Sequence, residues 1–131
     1  MIGSKRIEVS INNARKTGPA IIPFVTAGYP KKESFLGLIE ALSLCSDVIE
    51  IGVPFSDPMA DGVTIQRSSH IAIESGVKLS WIFDQLKLIK INTPIVLMSY
   101  LNPLYVFGYS ELVKESKMAG VDGFIIPDLP I

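Results

Sequence analysis

The residues best suited to chemistry are three carboxylates close together. Glu50 sits one residue before the end of the apolar run DVIEI (47–51), and Asp57 and Asp61 follow it in GVPFSDPMADG (52–62). A carboxylate inside an apolar strand is costly to bury unpaired. Strand alternation puts Glu50 on the face of Val48, opposite Ile49 and Ile51. In a sheltered mouth, desolvation raises its pKa and lets it both give and take a proton near neutrality. The competing reading is an edge-strand glutamate in water or paired with a lysine. Read singly, Asp57 and Asp61 are turn residues. Asp57 precedes Pro58, which biases it to extended backbone, and Asp61 stands where it can cap the next helix. Read together, the three put one carboxylate at the strand end and two more within eleven residues on the same rim. Elsewhere His70, the only histidine, is expected in solvent beside Ser68, Ser69 and Glu74, and Cys45 is read as structural. Tyr29, Tyr105 and Tyr109 read as loop aromatics of a rim or interface. The chain has no phosphate-cradling glycine pattern and no metal-ligand spacing, so no metal is expected.

Positioning these residues requires a sheet. Runs 20–25 (AIIPFV), 47–51, 94–99 (PIVLMS) and 124–126 (FII) read as short strands, with Pro23 marking an irregular or edge position. Near-continuous apolar strands are buried on both faces, as in parallel sheets. Residues 32–44 read as a helix with Phe35, Leu38, Ile39 and Leu42 on one stripe. A second covers 64–75 and stops at Gly76. A third is capped by Ser80, with Ile82, Phe83, Leu86 and Ile89 on one face, and a fourth covers 110–119 and stops at Gly120. Residues 52–62 and 100–108 read as loops. The class is α/β, closed either as an open doubly wound sheet or as part of a (β/α)8 barrel. In both, sites lie at the C-terminal strand ends, so residues 26–30, 52–62, 100–103 and 127–130 converge on one rim. A barrel needs about 250 residues. The expectation is one domain over 1–131, the N-terminal half of a barrel, truncated or partly ordered. The alternative is a small four-stranded sheet complete in itself.

Composition excludes several classes. The 131 residues are 48% hydrophobic with a net charge of −1, which argues against disorder and against electrostatic binding of nucleic acid. A single cysteine cannot form an internal disulfide, so a reducing, cytoplasmic compartment is expected. No apolar run approaches the ~20 residues of a membrane span, and no signal-peptide core opens the chain.

Four stretches are less generic: PFVTAGYP (23–30), IEIGVPFSDPMADGVTIQRS (49–68), PIVLMSYLNPLYVFG (94–108) and AGVDGFIIPDLP (119–130). They closely resemble the tryptophan synthase alpha-subunit family, over essentially the whole chain but only the N-terminal half of the family's length. The resemblance implies a (β/α)8 TIM barrel with an extra N-terminal helix, here residues 4–16, and a chain covering the first four βα units. It implies a lyase of tryptophan biosynthesis, performing retro-aldol cleavage of indole-3-glycerol phosphate to indole and glyceraldehyde 3-phosphate. It implies neither metal nor organic cofactor. Glu50 matches the acid–base carboxylate that protonates indole C3 and takes the glycerol hydroxyl proton. Asp61 matches the second catalytic carboxylate, bonded to the indole N–H. Protonating C3 leaves positive charge near that nitrogen, so a fixed carboxylate there favours the transition state over the ground state. Phe24, Met98, Tyr100, Ile125 and Pro127 match the lining of the indole pocket. Asp57 and Pro58, with Asn102 and Pro103, match contacts to a beta subunit that carries pyridoxal phosphate and joins an alpha2beta2 heterotetramer.

Val63 stands where many family members have proline. The family's phosphate site and mobile loop belong to the second half, so residues 1–131 alone are expected to be inactive and to self-associate through open sheet edges. A second reading is a non-catalytic half-barrel module that binds or regulates the beta subunit, which would not need both Glu50 and Asp61. A third is another phosphate-sugar barrel such as an epimerase, which wants histidine and metal at the strand ends.

Overall fold

The computed structural model describes residues 2–130. In chain order the elements are α1 (Gly3–Ala14), β1 (Phe24–Thr26), a 3-10 turn (Lys32–Ser34), α2 (Phe35–Ser43), β2 (Ile49–Gly52), α3 (Val63–Glu74), α4 (Leu79–Leu86), β3 (Ile95–Met98), α5 (Leu101–Phe107), α6 (Tyr109–Met118) and β4 (Val121–Ile125). The strands form one sheet in the order β1-β2-β3-β4, all neighbours parallel. This order decides between the two closures. A doubly wound sheet reverses its strand order at a switch point, and among the described residues the order never reverses. Adjacent strands joined in sequence by helical crossovers are the winding of a barrel.

The outer face holds the core. Ile49, Ile51, Ile95 and Leu97 pack against Phe35 and Ile39 of α2, Ile82, Phe83 and Leu86 of α4, Leu104 of α5 and Leu112 of α6. The stripe expected on α4 is therefore present, with Ile89 half-buried just beyond its end. Gly76 and Gly120 end α3 and α6 as the spacing implies. At the first, Gly76 N–H donates to Ile73 O and Val77 N–H to Ala72 O.

Several boundaries differ from the sequence reading, each for a physical reason. Residues 100–108 are not a loop, because α5 occupies most of them. Pro103 is its third residue, where a helix has no intrahelical acceptor for an N–H, so the missing donor costs nothing. Tyr105 and Tyr109 consequently lie on helices, edge to face with centroids 6.1 Å apart. Ser80 does not cap α4; the N-cap is Lys78, and no side chain caps it. The first strand is shorter than the run 20–25 because Pro23 has no N–H to offer, although its carbonyl still accepts Glu50 N–H at 2.9 Å. β4 starts earlier than residue 124, through a bulge opposite Ile95 and Val96 that the turn-like Asp122-Gly123 pair disguises.

α1 runs across the N-terminal ends of the strands, slightly earlier than residues 4–16. Arg6 Nη1 donates to both oxygens of Asp122, at 2.7 and 2.9 Å, and Arg6 Nη2 to Asn92 O at 2.8 Å. Asp122 also accepts Ile95 N–H at 3.0 Å, replacing a ladder bond that the bulge removes. Ser10 Oγ donates to Asp47 O at 2.6 Å. Gly3 makes this approach possible, since a Cβ there would lie 2.2 Å from Asp122 O.

Candidate active site

Glu50 lies on β2, an interior strand, level with Phe24, Val96 and Gly123 across the sheet. The edge-strand reading is therefore excluded. The lysine-paired reading fails too, because no ion pair among the described residues involves Glu50. Its neighbours Ile49 and Ile51 are fully buried on the helical side, while Glu50 is half-buried on the other, with Val48. There it lines a cavity of about 320 Å³ with Val48, Val96, Gly123, Phe124, Ile125, Ile22 and, from α1, Ile7 and Ile11. The lining is almost wholly apolar, and burial pushes the Glu50 carboxyl above its ordinary value.

Ile7 and Ile11, one turn apart on α1, floor this cavity; Ile7 Cδ1 comes within 3.3 Å of the place a Cβ on Gly123 would occupy. They are functional candidates that the weak periodicity of the N-terminal segment concealed, although their i, i+4 spacing was available as a signal. Phe24 stands beside Glu50, and its ring covers Gly52, where a Cβ would lie 2.5 Å from Phe24 Cζ. Met98 is level with Gly52 and Ile125. Glu50, Phe24, Met98 and Ile125 therefore gather on neighbouring strands, and Pro127 is exposed in the segment beyond β4.

Asp61 is not among the residues lining this cavity; it lies in the loop above, half-buried. It does not cap α3. The N-cap is Gly62, without a side-chain cap, so the capping reading falls away, while the turn reading holds: Asp61 N–H donates to Pro58 O at 3.1 Å. Its neighbour is Tyr100. The hydroxyl of Tyr100 accepts Ala60 N–H at 2.8 Å. Burial, helped by the charges of Asp61 and Asp128, pushes the Tyr100 phenol up against the opposing pull of the Ala60 N–H. Tyr100 is only 4% exposed, so its ring presents little surface to a ligand. Asp128, given no role by its sequence context, accepts Leu101 N–H through Oδ1 at 2.8 Å.

The expected contact residues are separate and outward. Asp57 is exposed and takes a bond from Ser56 Oγ at 3.1 Å; Pro58 is half-buried at a hollow of about 270 Å³ shared with Phe55 and His70. Asn102 is exposed and Pro103 half-buried in the first turn of α5. His70 is solvent-facing, 3.4 Å from Glu74, as its context implies. Cys45 is exposed beyond the end of α2. Among the described residues no group of three or more His, Cys, Asp or Glu could hold a metal ion, and no helix is long and apolar enough to cross a membrane.

The tryptophan synthase alpha chain family matches residues 11–131. The alpha chain of Nitratidesulfovibrio vulgaris is 48% identical, over 99% of this chain and 52% of its own. That of Pyrococcus furiosus is 45% identical, over 86% of this chain and 46% of its own. Among solved structures, the tryptophan synthase alpha subunit of Legionella pneumophila superposes with a TM-score of 0.86 at 34% identity, covering 95% of this chain and 50% of that one. The alpha subunit of P. furiosus gives 0.80 at 46% identity, covering 85% and 46%. The chain thus spans about half the length of the curated relatives it matches. Its four βα units correspond to the first half of their (β/α)8 barrel.

Proposed function

The chain belongs to the tryptophan synthase alpha chain family, and from that premise we propose that its residues serve a lyase. The reaction is cleavage of indole-3-glycerol phosphate to indole and glyceraldehyde 3-phosphate in tryptophan biosynthesis. The single observation that carries this reading is Glu50: an unpaired carboxylate on an interior strand, aimed into an apolar cavity and held above its ordinary pKa by burial. Such a group keeps its proton until a carbon base is presented and then accepts one back.

In the retro-aldol step Glu50 protonates C3 of the indole ring, breaking its aromaticity and placing positive charge at the ring nitrogen. Glu50, now a carboxylate, then takes the glycerol hydroxyl proton, the carbon–carbon bond breaks, and its electron pair restores the indole. Asp61, fixed at the rim, takes the indole N–H and stabilises the charge as it forms. Phe24, Met98 and Ile125 offer flat apolar walls to the ring, and Tyr100 and Pro127 border it. No cofactor enters these steps.

The outward loops, Asp57 with Pro58 and Asn102 with Pro103, are proposed to meet a beta subunit. That partner would carry pyridoxal phosphate within an alpha2beta2 assembly in the cytoplasm. The test is release of indole from indole-3-glycerol phosphate by the full polypeptide as translated, with and without the beta subunit. Indole release stimulated by the partner is expected. Partner binding with no indole from any preparation would favour the regulatory-module reading instead.

A further inference from the structure

We propose that Tyr100 is a positioning residue: it ties the loop after β2 to the end of β3 and so fixes Asp61 over the mouth of the barrel. The inference deepens the lyase reading above and rests on it. Tyr100 lies just beyond β3 and is buried. Its ring packs on Phe55 with centroids 5.4 Å apart. Its hydroxyl, at the far end of the same ring, accepts Ala60 N–H at 2.8 Å. Phe55 and Ala60 belong to one loop, so a single side chain grips that loop near its start and near its end. The next residue extends the lacing, because Leu101 N–H donates to Asp128 Oδ1 at 2.8 Å in the segment after β4. Residues 100 and 101 therefore join three of the rim segments.

A phenol can accept an N–H and donate its own O–H at the same time. Here the acceptor side holds the backbone N–H of Ala60, the residue next to Asp61. A carboxylate that must stabilise a developing charge has to be fixed before the charge appears. Nothing else shown holds the Asp61 side chain, since no ion pair among the described residues includes it and it does not cap α3. A misplacement of about 1 Å can cost two orders of magnitude in rate, so the grip matters although Tyr100 shows little surface to substrate.

Tyr100→Phe keeps the ring contact with Phe55 and removes the hydroxyl. It is made in the full polypeptide as translated, beside Asp61→Asn and the double variant. Indole release and amide hydrogen exchange are both measured. For Tyr100→Phe we expect kcat to fall about tenfold with KM within about twofold, and protection of the Ala60 amide to fall about tenfold. The Leu97 amide in β3 keeps its protection, and Tyr100→Phe costs nothing further when Asp61 is already Asn. Rate penalties that multiply in the double variant, an unchanged Ala60 amide, or equal loss of protection at Leu97 would each overturn the positioning role. If the parent polypeptide releases no indole, the lyase reading fails by itself, and the Ala60 amide still decides whether Tyr100 holds the loop.

Discussion

The two ends of the sheet use the same kind of side chain for opposite purposes. At the N-terminal end the acids are satisfied. Asp122 is bound by Arg6 and Ile95 N–H, and Asp47 Oδ2 accepts Ile21 N–H at 2.8 Å. Toward the C-terminal end, Glu50 and Asp61 have no cationic partner among the described residues, and Glu50 faces an apolar cavity. A carboxylate with a full set of donors stabilises its charged form and contributes to folding. Glu50, desolvated and without a cation, holds its proton more tightly, which is poor for stability and useful for proton transfer. The contrast belongs to these particular acids and not to whole rims, since Asp128 beyond β4 accepts Leu101 N–H as Asp47 accepts Ile21 N–H.

That contrast can be broken most directly at Glu50. Glu50→Gln is expected to lower indole release on the order of 1000-fold while leaving the fold intact, checked by steady-state turnover beside thermal unfolding. Near-normal turnover would erase the distinction between the two ends. Asp61→Asn should follow at about 100-fold in kcat, with the loss confined to the chemical step in single-turnover kinetics. The opposite signature is expected below. Asp122→Ala strands the Arg6 guanidinium beside the strand ends and frees Ile95 N–H, so urea unfolding should show a loss of about 3 kcal/mol.

The smallest effect sharpens the comparison through pH. Burial raises the Glu50 carboxyl in the folded chain, so above its ordinary value the native state holds a proton that the unfolded chain has released. The Glu50 contribution to stability therefore falls as pH rises through the raised value and is level beyond it. Glu50→Gln has no such slope. Urea titrations from about pH 4 to pH 8 should show the variant gaining on the parent as pH rises; parallel curves would mean that the cavity does not desolvate Glu50.

Much of this was legible in the chain. Alternation in DVIEI put Glu50 on the face opposite Ile49 and Ile51, and apolar runs separated by crossovers implied parallel strands, because burial on both faces leaves no other composition. The glycines ending α3 and α6 were readable for the same local reason. Less was legible where neighbours in space override neighbours in sequence. Residues 100–108 looked like a loop because proline and asparagine are turn formers in isolation, yet at the start of α5 a proline is harmless, and Asp128 supplies an acceptor for Leu101 N–H. Asp61 looked like a cap because it precedes a helix, while the cap position falls on Gly62 and Tyr100 holds the adjoining Ala60 N–H.

The sequence by itself determined the four strands, most of the helices between them, the side of β2 that Glu50 shares with Val48, and the motifs shared with the tryptophan synthase alpha chains. These depend on short-range geometry and side-chain hydrophobicity, which act within one strand or one helical turn. Only the tertiary structure decided that α1 floors the cavity, that Asp122 bonds to Arg6, and that Tyr100 reaches Ala60. Those contacts join residues far apart in the chain, and no local pattern encodes which donor will meet which acceptor once the strands are side by side.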